Sequence, residues 1–211
     1  MKLFYNYQII KKVVILLLFT FQLIAQENDS IQNNKIVKFE ETFSLYYIIP
    51  NQIGNHTLAK DYKNRFGFGS RLTLVSIQNF NIGGGGEYIS YEVTNKSNAG
   101  NFSYGNYKNA FILINYPIKI VEKLQITPTT AIGLLQFSQR ERSIRYSHQN
   151  GVNYRAGLSF DYELVEEFDV FFGVEYIYTK FKLNANPEII DYYGKSNQFQ
   201  ITIGIKFKSP K

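Results

Sequence analysis

The side chains able to do chemistry are few and scattered. The chain holds two histidines, His56 and His148, and no cysteine. Nucleophilic catalysis needs a hydroxyl or thiol beside a base that a third group orients. Ser147 adjoins His148, but sequence neighbours point in different directions and no motif surrounds the pair. Metal binding needs converging ligands, which two separate histidines do not supply. Gly83-Gly84-Gly85-Gly86 has the backbone freedom of a phosphate loop, yet Glu87 and Tyr88 follow where a Lys-Ser/Thr pair is required. The run reads instead as glycine easing the curvature of a sheet, or hiding a bulge. No catalytic, cofactor-binding or metal-ligating residue emerges, and the expectation is a non-enzymatic chain without a cofactor. One charged cluster remains: Arg140, Arg142 and Arg145 against Glu141 in the segment SQRERSIRYSHQNG, from Ser138 to Gly151. The guanidinium fork suits phosphate oxygens, so these arginines are candidate phosphate contacts.

The elements around these residues begin with a leader. Lys2, Lys11 and Lys12 precede the apolar run from Val13 to Ile24, and Ala25 supplies a small residue for cleavage before Gln26. A run this short falls below the roughly 20 residues a spanning helix needs, so residues 1–25 read as a cleaved signal peptide. Residues 26–36 are polar and read as a periplasmic lead-in. Formal net charge is +6 for the chain, about +3 without the three leader lysines. Neither that value nor export suits a nucleic-acid partner. Export, 17 Tyr, 18 Phe and 15 Gly with no later apolar run point to an all-β protein.

Eight alternating segments follow, near Val37–Ile49, Arg65–Ile77, Ile82–Thr94, Tyr104–Ile120, Leu124–Phe137, Val152–Leu164, Phe168–Phe181 and Gln198–Phe207. In the sixth, Tyr154, Ala156, Leu158, Phe160 and Tyr162 share one face, while Asn153, Arg155, Gly157, Ser159 and Asp161 share the other. Strict alternation over such lengths marks a strand. The connections also alternate, short at 78–81, 121–123 and 165–167, long at 50–64, 95–103, 138–151 and 182–197. The pattern predicts an eight-stranded antiparallel up-and-down transmembrane β-barrel over 37–207, with both termini and a short tail, 208–211, on the short-turn side.

Which face meets lipid follows from side-chain size. The polar face mixes charges with small residues, as in Arg65, Gly67, Gly69, Arg71 and Thr73. An eight-stranded lumen is just wide enough for side chains to fill it. The apolar face carries ladders of large residues that water would not tolerate. Aromatics gather near strand ends: Tyr46, Tyr47, Tyr154, Tyr178 and Phe181 towards the loops, Phe39, Tyr116, Tyr162, Phe168 and Phe207 towards the turns, as at headgroup level. Arg65, Arg71, Glu87, Arg155, Asp169, Glu175 and Lys206 are therefore expected inside as a charge network. Register places Gly157 opposite Glu175 and Glu163 opposite Asp169, with Arg155–Glu175 and Asp169–Lys206 as the expected ion pairs.

On these residues the chain resembles the small outer-membrane β-barrel superfamily, the group that includes the OmpA transmembrane domain. Gly204-Ile205-Lys206-Phe207 resembles the C-terminal signal that the barrel-assembly machinery reads in that family, with Gly204 and Phe207 carrying the match, although Lys208 to Lys211 follow the aromatic that often stands last. The Ala25-Gln26 leader end and Lys/Asn/Ile-rich composition resemble Bacteroidota proteins. The resemblance implies outer-membrane lipid and lipopolysaccharide as partners, the latter at Arg140, Arg142 and Arg145. It implies a structural or surface-interaction role with no open pore, with a loop-mediated binding protein or adhesin as the alternative and a lipid A-modifying barrel enzyme behind it. Oligomeric state is left open.

The loop lengths make a topological prediction. In a background without thiols, cysteines placed at Arg142 and Asn197 are labelled from outside intact cells, while those at Glu122 and Glu166 are not. Strong surface labelling at position 166 contradicts the topology.

Overall fold

The computed structural model describes residues 37–38, 41–141 and 144–209, so the leader, the lead-in and Phe39 lie outside the described residues. Its strands are β1 (Val37–Lys38), β2 (Thr42–Ile53), β3 (Tyr62–Ile77), β4 (Phe80–Val93), β5 (Tyr104–Asn115), β6 (Ile118–Val121), β7 (Leu124–Glu141), β8 (Ile144–Val165), β9 (Phe168–Phe181) and β10 (Lys195–Lys208). Three helical turns, α1 (Thr57–Lys60), α2 (Lys96–Ala99) and α3 (Pro187–Tyr193), sit in the longer connections.

Eight of the strands form a closed antiparallel barrel. β2 pairs with β3, β3 with β4, β4 with β5, β5 with β7, and so on through β10, which returns to β2. The seam runs from Lys208 opposite Thr42 to Asn197 opposite Ile53. The two extra strands are offcuts of the same wall. β1 pairs with β3 at Ile77 and Ser76 ahead of β2. β6 continues β5 along β7 after Tyr116-Pro117, where proline cannot donate to the ladder.

The register sets the geometry. A path across facing residues runs Phe43, Leu72, Gly84, Ile112, Ile132, Tyr154, Tyr178, Asn197, and re-enters β2 at Ile53, ten residues beyond its start. Eight strands with that stagger tilt by about 40° and rise about 2.4 Å per residue along the axis.

The outer wall is apolar. Leu158, Phe160 and Tyr162 on β8, Phe172, Val174 and Tyr176 on β9, and Ile201, Ile203 and Phe207 on β10 are all exposed. On β9 the outward series from Phe168 to Tyr178 is about 24 Å tall at that rise, the height of a bilayer-spanning belt. Tyr46 and Phe181, expected on this wall, are instead 4% exposed in the lumen. Both belong by strand parity with inward residues.

Two departures concern the strands themselves, one at β3 and one at the β7–β8 hairpin. The four glycines of β4 pair without a break, and the bulges lie on β3, between Asn64 and Phe66 and between Thr73 and Val75. The segment expected as a loop over 138–151 is mostly strand, because β7 and β8 continue pairing out to Glu141 and Ile144.

The glycine run supplies clearance on one face. A Cβ on Gly85 would stand 2.6 Å from the Phe111 ring, whereas one on Gly86 would find its nearest neighbour at 3.6 Å. Gly85→Val is expected to lower the unfolding midpoint in detergent by the equivalent of about 1–3 kcal/mol, the usual cost of overpacking. Gly86→Val should change it little. Equal effects at the two positions would contradict the inward and outward assignment.

Candidate functional site

The lumen is filled in layers. At the short-turn end lies a polar cavity of about 340 Å³ whose lining includes Thr127, Ser159, Asp161, Asp169, Lys206 and Lys208. Above it four charges meet. Arg155 lies on β8 and Glu87 on β4, on opposite walls, and the guanidinium engages the carboxylate in a fork, with Nη1 donating to Oε1 at 2.9 Å and Nη2 to Oε2. Arg71 on β3 likewise reaches across to Glu175 on β9. Two longer contacts close the ring, Arg71 to Glu87 at 3.9 Å and Arg155 to Glu175 at 3.6 Å. Glu87 also accepts from Tyr46 Oη at 2.9 Å and Gln200 Nε2 at 3.0 Å. The guanidinium of Arg155 lies 4.5 Å from the Phe111 ring centroid, and that of Arg71 lies 4.7 Å from that of Tyr46. Gly157 faces Glu175, and a Cβ there would stand 2.5 Å from Glu175 Cγ, so the small residue admits the long one.

The structure brings Arg71, Glu87, Arg155 and Glu175 together, with partners ranked differently from the expected pairs. Arg155 takes Glu87 as its main partner and Glu175 as its second. Lys206 bonds Asp161 at 2.9 Å instead of Asp169, while Asp169 bonds Lys208 at 2.7 Å. The expected register is the observed one: Glu163 faces Asp169, and Lys206 faces Asp169. Each lysine leans along the diagonal, Lys206 passing Phe171 to reach the acid opposite that ring. Lys208, assigned to the tail, ends β10 and also bonds Glu163 at 3.0 Å.

Arg65 does not enter the lumen. It is the extra residue of the first β3 bulge, which turns it to the outer wall, where it is exposed and lies 5.2 Å from the Tyr104 ring. Gly204 is inside, where a Cβ would meet Tyr46 at 2.6 Å, and Phe207 is outside, packed edge-on against Phe168. Arg140 stands on β7 and Arg145 on β8, on a projecting hairpin, with Arg142 outside the described residues.

Above the charges lies an aromatic layer that the sequence reading missed. Tyr62, Tyr91, Tyr107, Phe137 and Phe181 are buried there together with Ile48 and Ile89, and Tyr46, beside the charges, carries the cluster down to Phe171, which lines the turn-end cavity. Tyr62 and Phe137 pack edge-on at 5.5 Å, and Asn153 Nδ2 donates to Tyr107 Oη at 3.0 Å.

The outer connections cap this layer. Asp61, fully buried, accepts from Thr57 Oγ1 at 3.0 Å, Asn95 Nδ2 at 3.0 Å, Asn98 Nδ2 at 3.3 Å and Tyr192 Oη at 2.9 Å, joining three connections at one carboxylate. Gln139 Nε2 adds the β7–β8 hairpin by donating to Tyr62 Oη and Ala99 O. His56, 3% exposed, is part of the clasp. Its Nδ1 accepts from Ala59 N–H at 3.3 Å as the cap of α1, and Nε2 lies 2.8 Å from Ile53 O, 3.1 Å from Asn197 N and 3.3 Å from Asn197 O. Burial lowers its pKa below the ordinary 6.5, against the two carbonyl contacts, which raise it. His148 is exposed on β8. Among the described residues no three His, Asp or Glu are grouped as metal ligands.

No family model matches this chain, and no curated protein does. Solved structures do. Neisserial surface protein A aligns at a TM-score of 0.51 and 12% identity, over 82% of this chain and 99% of that one. This is the fold of the small outer-membrane eight-stranded barrels. A major outer membrane protein from Thermus thermophilus aligns at 0.50 and 10% identity, over 81% and 99%. OprG from Pseudomonas aeruginosa aligns at 0.50 and 14%, over 86% and 100%. At these identities the likeness is one of fold.

The His56 cap sets a pH dependence. A folded pKa below the unfolded one means that the clasp's stability is present above 6.5 and lost as pH falls through the folded pKa. Protection of the Thr57–Asp61 amides, taken relative to the intrinsic exchange rate at each pH, should fall between pH 7 and pH 5, and His56→Asn, a capping residue that does not titrate, should remove that fall. Unchanged protection in the parent chain contradicts the cap. Asp61→Ala should raise protease sensitivity in the 50–64, 95–103 and 182–197 connections together. Cleavage confined to the first would show that Asp61 does not join them.

Proposed function

We propose that this is an outer-membrane barrel with a structural or surface-interaction role, non-enzymatic and sealed against conduction. The observation that carries the reading is the contrast between the walls. Outside stands a belt of exposed Leu, Ile, Phe and Tyr of membrane height, too extensive for water. Inside, two cross-lumen ion pairs and a buried aromatic layer occupy the bore. Export through a leader cleaved after Ala25 brings the chain to that membrane, and the Gly204–Phe207 segment engages the barrel-assembly machinery. Arg140 and Arg145, on the β7–β8 hairpin, and Arg142, between them in sequence, meet lipopolysaccharide.

A second reading, a binding protein acting through its outer surface, is favoured by the Asp61 clasp. It turns separate connections into one ordered platform, which lowers the entropy lost when a partner binds.

Planar-bilayer recording after membrane fractionation tests the first reading. The chain should partition with outer membranes and show little steady conductance, as an eight-stranded lumen packed with side chains requires. A large, long-lived open channel would overturn the sealed bore, and recovery in the soluble fraction would overturn the membrane placement.

A further inference from the structure

The outer wall is not uniform. Where β5, β7 and β8 meet at the loop side of the belt, it carries a shallow groove of about 510 Å³. Its outward lining is Lys108, Ala110, Leu134, Gln136 and Asn150. The facing residues Lys108, Gln136 and Asn150 form one row across the three strands. Gln136 Nε2 donates to Asn150 Oδ1 at 3.3 Å, while Lys108 is exposed and makes no ion pair among the described residues. Directly below that row Ala110 leaves room beside Leu134, which is 72% exposed.

The groove's height decides its occupant. On β7 the outward series Leu124 to Leu134 spans ten residues, about 24 Å at the tilted rise, so Leu134 ends the belt and Gln136 is the first position above it. On β5, Ala110 and Lys108 stand in the same relation. The groove is therefore apolar below the edge of the hydrocarbon and carries a cation and two amides at headgroup level. Arg140 lies six residues beyond Leu134, about 14 Å further out, too far to serve a headgroup at this edge.

We infer that this groove is a binding site for one phosphorylated glycolipid of the outer leaflet. An acyl chain lies against Leu134 and Ala110, a headgroup phosphate pairs with the Lys108 ammonium, and sugar hydroxyls meet the Gln136–Asn150 amides. The inference rests on the outer-membrane placement and adds a site distinct from the hairpin arginines. A single compact cation above an apolar trough fits one phosphate over one chain, and the wall's lack of bulk at Ala110 is what lets the chain lie close.

The test uses the full chain, purified folded in mild detergent, stripped of lipid and titrated with diphosphorylated lipid A by native mass spectrometry. Lys108→Gln should weaken binding about fivefold, the contribution of one cation beside an anionic lipid surface. Ala110→Phe, which fills the trough, should weaken it as well. Lys180→Gln is the control: Lys180 is the first outward position above Tyr178 on β9 and does not line the groove. It should bind as the parent does. Dephosphorylated lipid A should bind the parent only as well as diphosphorylated lipid A binds Lys108→Gln, and millimolar inorganic phosphate should not displace the lipid. Equal losses at Lys108 and Lys180 would reduce the effect to diffuse surface charge and overturn the site. So would insensitivity to Lys108→Gln, displacement by free phosphate, or a lipid-independent dimer blocked by Ala110→Phe. Fractionation of the same preparations separates the two failures: a chain found in the outer membrane that shows no lipid selectivity sinks the site alone.

Discussion

Charges inside a narrow closed barrel must be neutralised across the bore, because the lumen has too little water to screen them. Here that requirement falls on Glu87. It sits on β4 with its carboxylate fully buried, forked by Arg155 from the opposite wall and approached by Arg71, Tyr46 and Gln200. Those contacts draw together β2, β3, β4, β8 and β10, and Glu175 adds β9 through both arginines. Hydrogen bonds along the ladders join only neighbouring strands. The quartet ties strands that are not neighbours, and so helps to hold the bore to one shape. Removing one member leaves its partner charged and uncompensated, which in buried pairs costs about 3–5 kcal/mol.

The layers on either side depend on that centre. Tyr46 ties the charges to the turn side, since its hydroxyl bonds Glu87 while its ring packs at 6.0 Å against Phe171, which lines the cavity there. The aromatic layer above joins the charges through Tyr91, whose hydroxyl donates to Gln198, which donates to Gln200, which donates to Glu87, and the Asp61 and His56 clasp closes over it through Thr57, Leu58 and Tyr62. Towards the turns the bore opens into the polar cavity, where Lys206 and Lys208 pair with the acids of β8 and β9. Among the described residues the bore is filled on the loop side and holds its cavity on the turn side. Function on the outer side is left to the clasped surface and the outer wall, since the lumen does not reach it.

Strand number, faces and most of the register were legible because alternation is a local property of the chain. Facing pairs such as Gly157 with Glu175 follow from turn positions alone. The partners across the lumen were not legible. Whether Arg155 meets Glu87 depends on the ten-residue stagger accumulated around the whole barrel, which no single hairpin reveals. The inward aromatics were readable in principle. Phe171 and Ile177 share parity with Asp169 and Glu175 on β9, but a face judged by its charges hides the rings between them. Arg65 was lost for a different reason. A bulge adds one residue and reverses parity beyond it, and nothing in Asn64-Arg65-Phe66 marks that insertion. The roles of His56 and Asp61 rest on contacts between connections far apart in sequence, so both read as ordinary loop residues until the loops are seen together.

The most direct test of this account is a double-mutant cycle on the cross-lumen pair, with Glu87→Gln, Arg155→Met and the double variant unfolded reversibly in detergent. Each single change should destabilise the barrel by several kcal/mol, and the double variant should lose clearly less than the sum, with a coupling of about 2–3 kcal/mol. Losses that simply add would mean that the two residues do not meet, and that the bore is not held together across its width.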